Sequence, residues 1–419
     1  ILISLDMHQA YVREYYETEQ KEQLLKIAFL PGTIIFLIVF CFLINQSISK
    51  LILDVHSLML DIYIFLGIYL VFSINIFSHV LRMQGRAWAF SLTQIIPKLG
   101  YLLTLGLIVY VFSTYTYEEL IVTNVIVLLL SALCFIFVLK NDIYKAIKIK
   151  IDLNKLKQML VFSSPLVMGS LGYWALTSID RIFLKNLANF SELALYVIAS
   201  TIAAGVGVLS TVFSSLWHPI VYKWIKEGVD LQKVINVNES MVLFVSLLWT
   251  LIGMFSWLII YFFPQEYKGI ELLLISCIAM PLLYMLSETT TIGIGLSRKT
   301  IYSMITTLLA LFLNILINYF LIGKYGAKAS ALASMSAFIL FLILRTEFSS
   351  FLWFSLPRCK MYISVFTYYI VTILIMFGLI KNIVVSIILW LISFTIVLLL
   401  YRRRVIWLLE EFKLRNTKC

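Results

Sequence analysis

Runs of about twenty apolar residues recur every 25 to 35 positions along this 419-residue chain, and that recurrence leaves few folds open. A helix rises about 1.5 Å per residue, so about 20 apolar residues cross the hydrocarbon core of a bilayer. The pattern predicts twelve complete spans, at 27–44, 58–79, 91–112, 120–139, 160–180, 194–216, 240–262, 270–293, 301–322, 329–349, 362–380 and 382–400. The last two meet at Lys381-Asn382 and read as a tight helical hairpin. Runs this long do not alternate with period two, which argues against strands. Apolar residues make up 62% of the chain and charged residues 13%, whereas soluble domains are about half apolar. The expected fold class is an all-α polytopic membrane protein.

The net charge of +11 is a question of placement. One set of alternate loops, including the C-terminal tail, holds 25 of the 33 Lys and Arg; the other holds 7, and Lys98 lies inside a span. Positive charge gathers on the cytoplasmic side of a membrane. The first set is therefore assigned there, and a nucleic-acid partner is excluded. Lys140, Lys145, Lys148, Lys150, Lys155 and Lys157 crowd one loop, against Asp142 and Asp152. That loop separates two groups of spans and reads as the joint between two halves of a transporter. Within it, Ile147, Ile149 and Ile151 alternate, while Ile143, Ile147 and Ile151 fit helical spacing. A short amphipathic helix on the membrane surface is expected over 145–156, with a plain topology anchor as the alternative. The chain opens on Ile1-Leu2-Ile3, which reads as the end of a span under way, so it is expected to lack its natural N-terminus. Cys41, Cys134 and Cys277 lie in apolar spans, and Cys359 and Cys419 in a basic loop and tail; without a CxxC or Cys/His spacing, neither disulfide nor metal is expected.

Ionisable residues inside spans cost about 2.5–3.5 kcal/mol each at the bilayer centre, so each invites a role. Lys98, after Pro97, either faces a water-filled cavity, where it could bind an anionic head group, or snorkels to the surface. Glu288, among Ser287, Thr289, Thr290 and Thr291, is a candidate for binding a proton or cation or for pairing with a basic residue across a cavity, with an interfacial carboxylate within reach of water or Arg298 as the alternative. Asp180 and Arg181 are adjacent and cannot face each other on a helix, so they are expected to pair with different helices at the outer rim. Asn314 and Asn318 share a face, for interhelical hydrogen bonding or a sugar contact. Arg345, Arg82 and Arg86 stand at inner span ends. His79 and His218 read as lone histidines with no second ligand nearby. No P-loop is present, and no catalytic constellation can be assembled from the short outward loops, so an enzyme is not expected. Coupling to protons or sodium ions, without a bound cofactor, fits better than ATP.

Four stretches carry a resemblance to a known family. They are His8–Glu17 (HQAYVREYYE), Ser163–Leu184 (SSPLVMGSLGYWALTSIDRIFL), Leu216–Trp224 (LWHPIVYKW) and Asn314–Ala337, with its Tyr325-Gly326 turn and small-residue run. In this order they resemble the polysaccharide transporter family, the Wzx-type O-antigen flippases of the multidrug/oligosaccharidyl-lipid/polysaccharide flippase superfamily. The resemblance implies a MATE-like flippase fold: two six-helix lobes around a central cavity plus two C-terminal helices, with the first helix and most of the second absent here. On that plan residues 1–139 form a truncated N-terminal lobe (the end of one span plus four spans). Residues 140–159 are the basic joint, 160–352 a six-helix lobe, 361–404 an extra hairpin and 405–419 a basic cytoplasmic tail. It implies a bacterial inner-membrane carrier of an undecaprenyl-pyrophosphate-linked oligosaccharide, working beside a glycan polymerase and glycosyltransferases. Lys98, Arg13, Arg345, Asn314 and Asn318 are then the candidates for pyrophosphate and sugar, and Glu288, Asp180 and Arg181 for coupling or gating. The alternatives are a multidrug cation antiporter of the same superfamily, with Glu288 and Asp61 as its carboxylates, and a membrane glycan polymerase or ligase.

Overall fold

The computed structural model describes residues 3–43, 49, 57–111, 116–228, 230–380 and 382–416. Ile1, Leu2, Lys50, Lys381, Lys418 and Cys419 lie outside them. All regular elements among the described residues are helical, and twelve spans are long and apolar enough to cross a membrane, one at each expected place. The chain divides into two compact units, residues 1–167 and 168–419.

The first unit holds α1 (Met7–Glu14), α2 (Lys21–Leu43), α3 (Leu58–Met83), α4 (Ala87–Val111), α5 (Tyr117–Val138), α6 (Lys140–Lys148) and the start of α7 (Leu153–Leu187). Side chains satisfy the free N–H groups at several helix starts. Ser57 Oγ accepts from Leu60 N–H, and Thr116 and Glu119 form a reciprocal capping box. Helix α3 is the centre of this unit. It packs on α1, α2, α4 and α5 and buries Phe65, Phe72, Ile76 and Phe77. Phe29 of α2 sets its ring against Phe72 and Phe77, at 5.5 and 5.3 Å between centroids. Helix α4, by contrast, leaves Leu99, Leu102, Leu103 and Leu107 exposed.

The second unit holds the rest of α7, then α8 (Phe190–Lys226) and α9 (Gln232–Phe255), which runs on as a 3-10 turn to Phe262. After these come α10 (Ile270–Cys277), α11 (Ala279–Thr290), α12 (Ile292–Leu296), α13 (Ile301–Tyr325) and α14 (Ala327–Leu352). The chain closes with α15 (Cys359–Met376), α16 (Ile383–Leu400) and α17 (Arg402–Asn416). The segment α10–α11 is almost wholly buried, against α8, α9 and α14. Close approach depends on the small residues of α14, with Ala327, Ala329, Ala331, Ala333 and Ala337 all buried. Helices α15 and α16 pair with each other and both pack on α9. There Gly253 leaves room for Trp390, whose ring lies 2.4 Å from where a Cβ would stand.

Two boundaries differ from the sequence reading. Helices α7 and α8 run for 35 and 37 residues, well past the spans expected at 160–180 and 194–216. Hydropathy marks only the apolar middle of a helix, whereas the polar Asn154, Lys155, Lys157 and Gln158 continue the same backbone ladder into water. The joint also breaks where helical spacing seemed to continue. Helix α6 ends at Lys148, because Asp152 Oδ1 accepts from Asn154 and Lys155 N–H and starts α7. Ile143 and Ile147 are therefore helical, and Ile151 belongs to the connector.

Candidate functional site

Two polar clusters lie inside the second unit, each built from side chains far apart in sequence. Asp180 of α7 is fully buried. Asn314 and Asn318 of α13 donate Nδ2–H to its Oδ1, at 3.2 and 2.8 Å. Tyr196 of α8 donates its hydroxyl to Oδ2 at 2.7 Å, and Ser334 of α14 donates to the same oxygen. Ser330 donates to Asn318 Oδ1 at 2.8 Å, and Asn318 also donates to Asn314 Oδ1. The four-residue spacing of the asparagines is thus used, since it turns both amides to one carboxylate. The expected pairing of Asp180 with helices other than its own is found. Asp180 sits at the meeting point of four helices, with amide and hydroxyl donors and no cationic side chain among its described hydrogen bonds. Arg181, the next residue, is exposed.

The other cluster centres on Glu288 of α11, which is 2% exposed. Arg345 of α14 donates Nη1–H to Glu288 Oε1 at 2.5 Å and to Ser287 Oγ at 3.0 Å. Its guanidinium lies 4.5 Å from the Phe341 ring centroid and 5.5 Å from that of Tyr284, a cation–π setting. His218 Nε2 of α8 stands 3.5 Å from Glu288 Oε2. The pairing of Glu288 with a basic residue is found, with Arg345 as that residue, and one expectation is corrected: His218 is not solitary. Arg345 lies about two turns before the end of α14 and turns inward, because a guanidinium so placed is stabilised by a buried carboxylate and two rings.

In the first unit Lys98 lies exposed on α4, and no hydrogen bond or ion pair to it is found among the described residues. Arg13 is buried on α1 and bonds Glu17 at 3.2 Å. The neighbouring Glu14 pairs with Lys155, tying α1 to α7. His79 is also not alone: His8 stacks on it, ring centroids 4.5 Å apart at 16°. Burial, and next the Arg82 charge, push His8 down to about 4. Asp61, the other carboxylate considered, is buried and accepts from Ser49 N–H at 2.6 Å. Tyr196, Ser330, Ser334, Tyr284 and His8 were not among the candidate site residues of the sequence. A hydroxyl or a lone ring carries no signal until the helices bring it to a partner.

No family model matches the sequence, and no curated protein matches it. Solved structures do match. One is a crystal structure of MATE in the bent conformation, with a TM-score of 0.60 over 84% of this chain and 83% of that one, at 14% identity. The chain is built as a MATE-like flippase fold. A mutant MATE gives a TM-score of 0.58 over 84% of each chain at 16% identity. The lipid II flippase MurJ, in an inward closed conformation, gives 0.51 over 96% of this chain and 90% of that one at 15% identity. Identities this low make it a likeness of fold. The MATE-like fold is the architecture expected from the sequence, and it makes this a multi-pass membrane protein.

Proposed function

We propose that this protein is a flippase that carries an undecaprenyl-pyrophosphate-linked oligosaccharide, a surface-glycan repeat unit, across a bacterial inner membrane by alternating access. The observation that supports an anionic cargo is the state of the buried acids. Among the described residues, the carboxylates buried inside spans are Asp61, Asp180 and Glu288, and each is already engaged by internal donors. A cationic drug would have to compete with those donors. Lys98, by contrast, is exposed on a span that leaves most of its surface uncovered. A pyrophosphate would gain from that charge, and a cation would be repelled. Glycosyltransferases would supply the cargo, and a polymerase would receive it.

Coupling is assigned to the carboxylates. Asp180, held by neutral donors alone among the described residues, can trade its bound groups for a proton or a sodium ion without breaking an ion pair. Glu288 holds Arg345, so an anion reaching Arg345 must displace the carboxylate. The test is surface-glycan export in a flippase-null strain, normalised to folded protein in the membrane. Lys98→Ala and Lys98→Glu should both impair export, Glu more, and Lys98→Arg should keep part of it. Normal export by Lys98→Glu would remove Lys98 from the path. Efflux of a cationic dye that needs Glu288 and Asp61, with export unaffected, would replace this reading by the multidrug one.

A further inference from the structure

Two tyrosines of the second unit stand beside the Glu288–Arg345 pair, and the spacing of the sequence puts them there. Tyr284 and Glu288 are four residues apart on α11, and Phe338, Phe341 and Arg345 recur at helical spacing on α14. Each helix thus turns rings and a charge to one side. Tyr173 of α7 completes the group. Its ring centroid lies 5.2 Å from that of Tyr284, 6.1 Å from Phe338 and 6.2 Å from Phe341. Tyr284 stacks on Phe341 at 22°. The two phenylalanines are fully buried and fix the tyrosine rings, which are themselves half-buried.

The polar edge of this aromatic platform carries paired charge. Glu288 and Arg345 cancel each other, and His218 Nε2 faces the other carboxylate oxygen. Hydrogen bonds from the guanidinium to described residues leave from Nη1 alone, so Nε and Nη2 still have N–H groups to give. The Arg345 and His218 side chains are 15% and 28% exposed. A pyrophosphate here would meet the Glu288 carboxylate, and a cation would meet the guanidinium. A pyranose meets neither obstacle. Its hydroxyls both donate and accept, so one can donate to Glu288 while another accepts from Arg345, with the ion pair kept. Its axial C–H hydrogens form an apolar face that fits against an aromatic ring.

We infer that this patch binds a pyranose ring of the cargo, with the C–H face on Tyr173 and Tyr284 and the hydroxyls on Glu288, Arg345 and His218. The assignment rests on the glycan cargo proposed above: the second unit takes its sugar, and the pyrophosphate falls to residues elsewhere.

The test is microscale thermophoresis of the whole chain in lauryldimethylamine oxide, a detergent without a sugar head group. The probes are the methyl ester of farnesyl pyrophosphate and farnesyl-pyrophosphoryl-N-acetylglucosamine, alike in charge and different in the sugar. The wild type should bind the sugar-bearing probe about ten-fold more tightly, in line with one aromatic contact. Tyr173→Leu together with Tyr284→Leu should bring that ratio close to one. Tyr173→Phe with Tyr284→Phe keeps both rings and should preserve it. The readout is a ratio of two probes on one variant, so a smaller folded fraction lowers both signals and leaves the ratio alone. Equal binding of the two probes by the wild type would overturn the assignment and leave a pyrophosphate-linked lipid cargo standing. So would an unchanged ratio in the double leucine variant. Binding of neither probe by the wild type would overturn the cargo reading itself, and the assignment with it.

Discussion

Glu288 and Arg345 hold each other where neither charge would be tolerated alone, and the energetics of that pair can be measured. Arg345→Ala leaves a buried carboxylate without its cation and is expected to cost about 3–5 kcal/mol. Replacing both residues by Met removes both charges together and should cost less than Arg345→Ala. Thermal melting in detergent, arranged as a double-mutant cycle, checks this; a double variant weaker than either single one would show that the pair does not act as a unit. His8 gives a pH dependence with a definite sign. Its folded value of about 4 lies below the usual 6.5, so between those values the unfolded chain binds a proton that the folded chain refuses. Stability is fully present above about pH 6.5 and falls as the pH drops toward 4, by about 2 kcal/mol between pH 7 and pH 5. Melting scans at the two pH values should show this loss in the wild type and a smaller one in His8→Phe. Equal slopes would mean that His8 titrates alike in both states.

At the scale of elements, the turn between α13 and α14 is the most tightly specified. Gly326 adopts a φ of +52°, and a Cβ there would stand 2.5 Å from Glu192 Oε2, which accepts from Ala327 N–H at 2.8 Å. Gly326→Ala therefore meets both strain and a clash, and is expected to cost more than about 1 kcal/mol. Glu192→Gln should cost less, since its amide oxygen still accepts; melting of the two variants ranks them. This turn was legible in advance, because Tyr325-Gly326 stands between two apolar runs. The twelve spans were legible for the same reason, as each needs only its own residues to announce it. The lengths of α7 and α8 were not, since their polar ends carry no hydropathy signal. The candidate site was half legible. Asp180, Asn314, Asn318, Glu288 and Arg345 stood out as polar residues in apolar runs. That Asp180 meets both asparagines, that Arg345 meets Glu288, and that His8 stacks on His79 depended on packing between distant segments.

For the whole molecule, the strongest expectation concerns sidedness. The split of 25 against 7 basic residues predicts that positions 148 and 410 both face the cytoplasm. Single cysteines placed there, in a chain cleared of its own five cysteines, should react with an impermeant reagent only after the cells are opened. Labelling of either in intact cells would invert the topology. The Asp180 cluster also bears on how such a chain is made. Tyr196 follows the carboxylate by 16 residues, but Asn314 and Ser334 come 134 and 154 residues later. Ribosomes add about 5–20 residues per second, so Asp180 waits roughly 7 to 30 seconds for its asparagines. During that interval the nascent helix hairpin α7–α8 holds a membrane-embedded acid with Tyr196 as its early donor. Chains that stop before α13 keep that acid without its asparagines, and so display to quality control a mark that only a chain reaching α14 conceals.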